Sequence, residues 1–87
     1  MIDLLLYTRR ECCLCDTMKA VVDDVSRSFP VRLSLVDVDS RPELARDFGD
    51  EVPVLFVNGR KFAKYRADPR RLRSRLSIEA ARRSAGG

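Results

Sequence analysis

The chain has no histidine and only three cysteines among its 87 residues. Without histidine there is no Cys-His or Ser-His pair, so histidine-assisted nucleophilic catalysis is excluded. Three cysteines cannot close a four-thiolate zinc site within one chain, and Cys/His mixtures fall with the missing histidine. Only a site shared between two chains escapes that limit. No apolar run approaches the roughly 20 residues that a membrane span requires. The longest, around Leu4 to Leu6, has the length of a strand. The start, Met1-Ile2-Asp3, lacks the basic n-region and cleavage site of a secretory signal. The expected setting is therefore a reducing cytosol (a cytoplasmic protein) with no membrane partner. No internal repeat or low-complexity linker interrupts the chain.

What is present suits one small domain. The composition is 45% hydrophobic and 34% charged, too apolar for a disordered chain. A chain of this size buries somewhat more than about 60% of its unfolded surface, enough for one modest core. The net charge of +4 hides an asymmetry: residues 1–57 carry 7 Lys and Arg against 11 Asp and Glu, whereas residues 58–87 carry 10 against 2. A basic C-terminal third can face nucleic acid, a membrane surface or an acidic partner. The plainer alternative is a solvated helix face. No aromatic residues interleave with the C-terminal arginines to stack on bases, so nucleic acid is not the expected partner.

Periodicity orders the elements. Ile2 to Tyr7 is a short apolar run that reads as a buried strand. Thr8 to Glu11 is a polar connector. Apolar residues then recur at Cys15, Met18, Val21, Val22, Val25 and Phe29, a helical stripe that Pro30 closes. Residues 31–37 read as a second strand, buried on at least one face. Ser40 is the expected cap of a short helix over Arg41 to Phe48, with Pro42 in its first turn and Leu44, Ala45 and Phe48 facing inward. Gly49 stands where a left-handed helix stop is expected. Pro53 to Val57 is a third strand. Asn58-Gly59 signals a hairpin turn with positive φ at both positions, leading into a fourth strand from Arg60 to Tyr65. Asp68-Pro69 reads as a cap and first residue of a last helix whose apolar positions are Leu72, Leu76 and Ala80. The domain is expected over residues 1–83, with residues 84–87 as a disordered tail. The resulting order is β-α-β-α-β-β-α, with a right-handed first crossover and helices on both sheet faces.

All three cysteines fall within Cys12-Cys13-Leu14-Cys15, just after the first strand and at the opening of the first helix. Residues three apart on a helix have Cβ atoms roughly 5–6 Å apart. A disulfide needs about 3.5–4.5 Å, which a small relaxation supplies. Adjacent Cys12 and Cys13 would form a strained ring, and Cys13 and Cys15 point to different sides. Cys12–Cys15 is thus the expected reversible pair. Unpaired N–H groups at a helix start favour a thiolate there. Helix N-termini and nearby cations lower a thiol pKa. Arg9 and Arg10, just upstream, are expected to add to this effect at Cys12, opposed by Glu11 and Asp16. Cys15, deeper in the helix, is expected to stay protonated and resolve the mixed disulfide. A C-x-x-C by itself also suits a metal site, but one preceded by a strand and followed by a helix suits redox work. Packing alone is a poor account, because clustered cysteines gain nothing there over Ala or Val. Val52-Pro53 is the second candidate element. A proline opening an interior strand loses a ladder bond, and a cis peptide would turn the chain and expose the Val52 backbone.

The segments 7–18 (Tyr-Thr-Arg-Arg-Glu-Cys-Cys-Leu-Cys-Asp-Thr-Met), 36–39 (Val-Asp-Val-Asp), 42–44 (Pro-Glu-Leu), 48–49 (Phe-Gly) and 52–59 (Val-Pro-Val-Leu-Phe-Val-Asn-Gly) together resemble the small bacterial glutaredoxin-like proteins of the thioredoxin superfamily. The resemblance spans roughly residues 2–80. It implies an α/β thioredoxin-like fold of glutaredoxin type, a four-stranded mixed sheet flanked by three helices. It also implies a thiol–disulfide oxidoreductase with Cys12 as nucleophile, Cys15 as resolving thiol and Pro53 as a cis proline opposite them. Val52 would offer its backbone to an extended substrate, a short strand addition. Arg10, just before the cysteines, and Leu14, between them, join Val52 and Pro53 in the expected substrate-binding set.

The chain departs from the family at two places. Glutaredoxins carry Pro-Tyr or Ser-Tyr between the cysteines, where this chain has Cys13-Leu14. They carry Gly-Gly and then a glutathione-binding Asp after the last strand, where this chain has Ala63-Lys64-Tyr65-Arg66 and only Asp68 as a counterpart. The Trp before a thioredoxin Cys-Gly-Pro-Cys is also missing. Glutathione is therefore left open as a co-substrate, and no other cofactor is implied. The expected partners of a monomer are a disulfide-bearing protein or a glutathione mixed disulfide, with glutathione or a reductase as electron donor. A rival reading is a non-enzymatic module. It would hold a soft metal or iron–sulfur cluster through Cys12, Cys13 and Cys15, or an acidic partner on the basic last helix.

Overall fold

The computed structural model describes the backbone of residues 1–85 and the side chains of residues 1–82. Its elements follow the expected order. They are β1 (Ile2–Thr8), α1 (Cys13–Ser26), β2 (Val31–Asp37), a 3₁₀ turn (Val38–Ser40), α2 (Pro42–Phe48), β3 (Val54–Val57), β4 (Arg60–Lys64) and α3 (Pro69–Ala85). The sheet order is β2-β1-β3-β4. β1 runs parallel to β2 and antiparallel to β3, and β4 returns antiparallel to β3. This is the thioredoxin-like mixed sheet with three helices.

Alternation along β1 sorts the two faces. Ile2, Leu4 and Leu6 are buried against α1 and α3 and join Met18, Val22, Val25, Leu55, Val57, Leu72 and Leu76 in one core. Successive strand residues point to opposite faces, so Tyr7 falls on the other side. There it stacks on Phe48 of α2 at 4.7 Å between ring centroids, and both rings meet Phe56 edge-on. Offset and edge-to-face pairs of this kind are favoured by the ring quadrupoles. α2 thus covers the second face with an aromatic patch rather than a full aliphatic layer.

The hairpin is the one expected from Asn58-Gly59, with φ of 47° and 83°. Asn58 also ties three elements together. Its N–H donates to the Asp3 carbonyl at 2.8 Å, its Oδ1 accepts from the Asp3 N–H at 2.9 Å, and its Nδ2 donates to Glu79 Oε1 at 2.8 Å. Glu79, only 6% exposed on α3, is further paired with Arg82 at 3.2 Å and Arg75 at 3.8 Å. A carboxylate is buried at so low an exposure only when its lone pairs are matched, as here.

Four local expectations change. Ser40 does not cap α2: its hydroxyl donates back to the Asp37 carbonyl at 2.6 Å, and Arg41 is the cap residue with no side-chain bond to the helix. Gly49 is not left-handed, with φ of −55°. Glycine is needed there for space, because a side-chain carbon would meet the Ala45 carbonyl and the Arg9 guanidinium. Phe29 lies beyond α1, which ends at Ser26, and packs on the core from the turn. α3 continues to Ala85, past the expected boundary at residue 83, since no glycine or proline interrupts it before Gly86. The rest of the expected tail, residues 86–87, lies outside the described residues.

Candidate active site

The register of the sheet brings the two candidate segments together. Tyr7 pairs with Val54, so the loop that leaves β1 and the Val52-Pro53 peptide that enters β3 share one end of the sheet. That peptide is cis. Pro53 is buried, and Val52 is half-buried. Among the described residues, nothing hydrogen-bonds to the Val52 N–H or C=O. An unpaired pair of backbone groups at a sheet end is what an incoming extended segment needs.

Glu11 turns the chain into α1 with φ of 53°. Left-handed φ disfavours a residue with a Cβ, and such positions gather at functional sites. After that turn Cys12 is extended, with φ of −114° and ψ of 106°, and forms the cap of α1. Its place is thus just outside the helix rather than within its first turn. The Cys15 N–H donates to Cys12 Sγ at 3.2 Å. This sulfur takes the position that a Ser or Asp oxygen normally holds at a helix start.

The three thiols differ sharply. Cys12 is half-buried, Cys13 is exposed and Cys15 is buried, all in the free thiol form. Burial pushes the Cys15 thiol up to about 11, helped by its hydrogen bond to Cys12 and by the charges of Cys12 and Asp16, and opposed by a hydrogen bond from the Arg9 backbone. Cys15 is therefore held protonated, as expected. Its backbone N–H, bonded to Cys12 Sγ, ties the two residues together at the helix start. Cys13 points away, consistent with α-helical spacing. Among the described residues, no group of three or more Cys, His, Asp or Glu side chains is arranged to hold a metal.

Arg9 is not the thiol's cation. Its Nε and Nη2 donate to both oxygens of Asp39 at 3.0 Å, and its Nη1 donates to the Gly49 carbonyl at 3.1 Å. The bidentate pair holds the Asp39 carboxyl below its usual pKa and raises that of Arg9. Arg9 therefore pins the Cys12 loop to α2 instead of polarising the sulfur. Arg10 is exposed, and the effect of its charge falls on Asp39. Leu14 stands 37% exposed beside the cysteines. It lines a cleft of about 350 Å³ with Met18, Tyr65 and Arg66 among its other walls.

Tyr65 is the site residue that residue patterning did not single out. It takes φ of 68°. Its N–H donates to the Pro53 carbonyl at 2.8 Å, and its hydroxyl donates to the Asp50 carbonyl at 3.1 Å. One residue therefore holds both ends of the 50–53 loop. The signal in the sequence was indirect: a bulky residue where glutaredoxins place glycine. Asp68 is engaged as the helix cap, accepting from the Arg70 N–H at 2.9 Å.

Known proteins resemble this chain in sequence and fold. The model of the glutaredoxin-like domain (DUF836) matches residues 3–77. A solved structure from X. campestris is 32% identical, with a TM-score of 0.70, over 86% of this chain and 96% of that one. An uncharacterized protein of Mycobacterium tuberculosis is 29% identical over 77 residues, 83% of this chain and 79% of its own. A thioredoxin variant from Halobacterium salinarum is 23% identical, with a TM-score of 0.64, over 91% of this chain and 74% of that one, a likeness of fold. No described helix is long and apolar enough to cross a membrane.

Proposed function

From the premise that the chain belongs to the glutaredoxin-like domain family, we propose that it is a thiol–disulfide oxidoreductase working through a Cys12/Cys15 dithiol. The observation that carries this reading is the bond from the Cys15 N–H to Cys12 Sγ, made by a residue whose own thiol is buried beneath it. The outer sulfur accepts a hydrogen bond at the helix start and is open to a substrate, and burial favours the thiol of the inner one.

The reaction is two exchanges. The Cys12 thiolate attacks one sulfur of a substrate disulfide, and the other sulfur leaves as a thiolate that takes up a proton. In the resulting mixed disulfide Cys12 carries no charge and no longer raises the Cys15 thiol by Coulomb repulsion. Cys15 then loses its proton and attacks Cys12 Sγ. The second substrate thiol leaves, and a Cys12–Cys15 disulfide remains. Two electrons have passed from the dithiol to the substrate. A thiol donor, glutathione or a reductase, restores the dithiol. Val52 and Pro53 receive the substrate chain, with Leu14 on the near side of the cleft.

The test is reduction of a small neutral disulfide with dithiothreitol as donor. Turnover that vanishes in Cys12→Ser supports the proposal. Turnover that survives in that variant removes it.

A further inference from the structure

The cleft between Leu14 and Tyr65 has two neighbouring hollows. Arg66 lines it and also lines a second hollow of about 390 Å³, whose other walls include Phe62 and Arg71. Phe62 and Arg71 in turn line a third, of about 360 Å³, that reaches Arg70, Arg75 and Ile78. The three share wall residues in succession, so they line up as a trough from Leu14, the residue between Cys13 and Cys15, along the seam between β4 and α3. Its apolar positions are half-buried Phe62 and half-exposed Ile78. Its rim is cationic. Among the described residues, Arg66, Arg70 and Arg71 have no carboxylate partner, while Arg75 shares Glu79 with Arg82. The one acid of the trough, Asp68, is occupied in capping α3.

We propose that this trough takes an acidic segment of a protein substrate, with an apolar side chain on Phe62 and Ile78 and carboxylates on the arginines. The proposal rests on the oxidoreductase reading and names its substrate class. Charge complementarity argues for it, since guanidinium groups bind carboxylates through paired hydrogen bonds and are favoured at protein interfaces. The trough begins at Leu14, next in sequence to Cys13 and Cys15, so a segment lying in it would carry a neighbouring disulfide toward Cys12. A nucleic acid fits less well, because Tyr65 is the single exposed ring along the trough and successive bases need successive stacking partners. A lipid surface also fits less well: the apolar positions Leu72 and Leu76 of α3 face the core, which leaves Ile78 alone on a charged face.

Two synthetic peptides with the same internal disulfide test this, one followed by a glutamate–leucine stretch and the other by a lysine–leucine stretch. The full chain should show a KM about tenfold lower for the acidic peptide at low salt, with that preference collapsing in about 0.5 M salt through screening. Arg70→Glu/Arg71→Glu should abolish or reverse the preference, and Arg70→Gln/Arg71→Gln should weaken it. Turnover of a small neutral disulfide should be unchanged in both. Equal KM values for the two peptides in the wild-type chain would overturn the proposal. Binding is read separately by fluorescence anisotropy of a cysteine-free acidic peptide on the Cys12→Ser protein. Salt-sensitive binding there, with no turnover of any disulfide by the wild-type chain, would remove the redox reading and keep the trough as a docking site. Displacement of that peptide by a single-stranded oligonucleotide or phosphatidylserine vesicles at lower concentration would overturn the acidic-protein assignment.

Discussion

The Cys15 amide caps its own helix on the sulfur of Cys12, at 3.2 Å. The same residue therefore supplies a donor to the outer sulfur and a buried thiol behind it. This is a division of labour between two chemically identical side chains, set by one turn of helix. Alkylation at neutral pH should label Cys12 and spare Cys15, with peptide mass spectrometry as the readout. Exposed Cys13 is best changed to Ser beforehand. Cys15→Ser should accumulate a stable mixed disulfide on Cys12, visible as a mass increase under non-reducing conditions. Equal labelling of Cys12 and Cys15 would contradict the assignment.

Cys15 also makes stability depend on pH. Its folded-state pKa is raised from 9.0 to about 11. For a raised pKa the stabilisation is complete below the unfolded value and is lost as pH climbs through the folded one. Urea midpoints of the reduced protein should hold steady up to about pH 9 and then fall toward pH 11. The Cys15→Ala variant should lack that component of the fall, because it has no thiol to ionise.

Tyr65 offers a substitution whose two effects separate. Tyr65→Gly relieves a left-handed φ and keeps the backbone bond to Pro53, while removing the hydroxyl bond to Asp50. Relief of left-handed strain is worth roughly 1–2 kcal/mol, which offsets the lost hydrogen bond of about 1 kcal/mol. Net stability should change by less than about 1 kcal/mol. The cleaner readout is kcat/KM on a glutathione mixed disulfide, which should rise severalfold as the ring leaves the cleft. An unchanged value would show that Tyr65 is not what narrows this side of the site.

α3 should fail in two distinguishable ways. Asp68→Ala removes the acceptor for the Arg70 N–H and should cost about 1 kcal/mol, the usual scale of a helix cap. Leu76→Ala empties a fully buried core position and should cost about 2–5 kcal/mol, the transfer energy plus the cavity left behind. Urea denaturation of the two variants decides the order. A larger loss at Asp68 would mean that α3 is held by its cap more than by its packing.

Acid should weaken the Asn58–Glu79 contact. Glu79 is held below the usual carboxylate pKa, chiefly by the Asn58 hydrogen bond and then by Arg82, Arg75 and Arg60, against the cost of burial. A depressed pKa gives stabilisation that is present above the ordinary value and is lost as pH falls through the lowered one. Acid unfolding of Glu79→Gln should therefore show a shallower dependence on pH than the wild type, while the variant is the less stable of the two at pH 7.

The elements were legible in the sequence because each rests on a local signal. The helical stripe from Cys15 to Val25, the alternation in β2, the Asn58-Gly59 turn and the Asp68-Pro69 cap need only neighbouring residues to be read. Cys12, Cys15 and Pro53 were legible for the same reason, as residue types at a spacing and beside particular elements. The errors at Ser40 and Gly49 have a common cause. Each residue type favours one local role, and each residue is claimed by something else: the Asp37 carbonyl at Ser40, and close approach to Arg9 and Ala45 at Gly49.

By itself the sequence determined the order of strands and helices, the position of the thiol pair and the charge imbalance of the C-terminal third. These depend on periodicity and turn chemistry, which act over a few residues. Tertiary structure alone decided which partners distant side chains found. It sent Arg9 to Asp39 across 30 residues, buried Glu79 beneath Asn58 and set Tyr65 across the loop that ends in Pro53. Such pairings depend on strand register and helix docking, and the burial that makes them matter exists only once the sheet is covered.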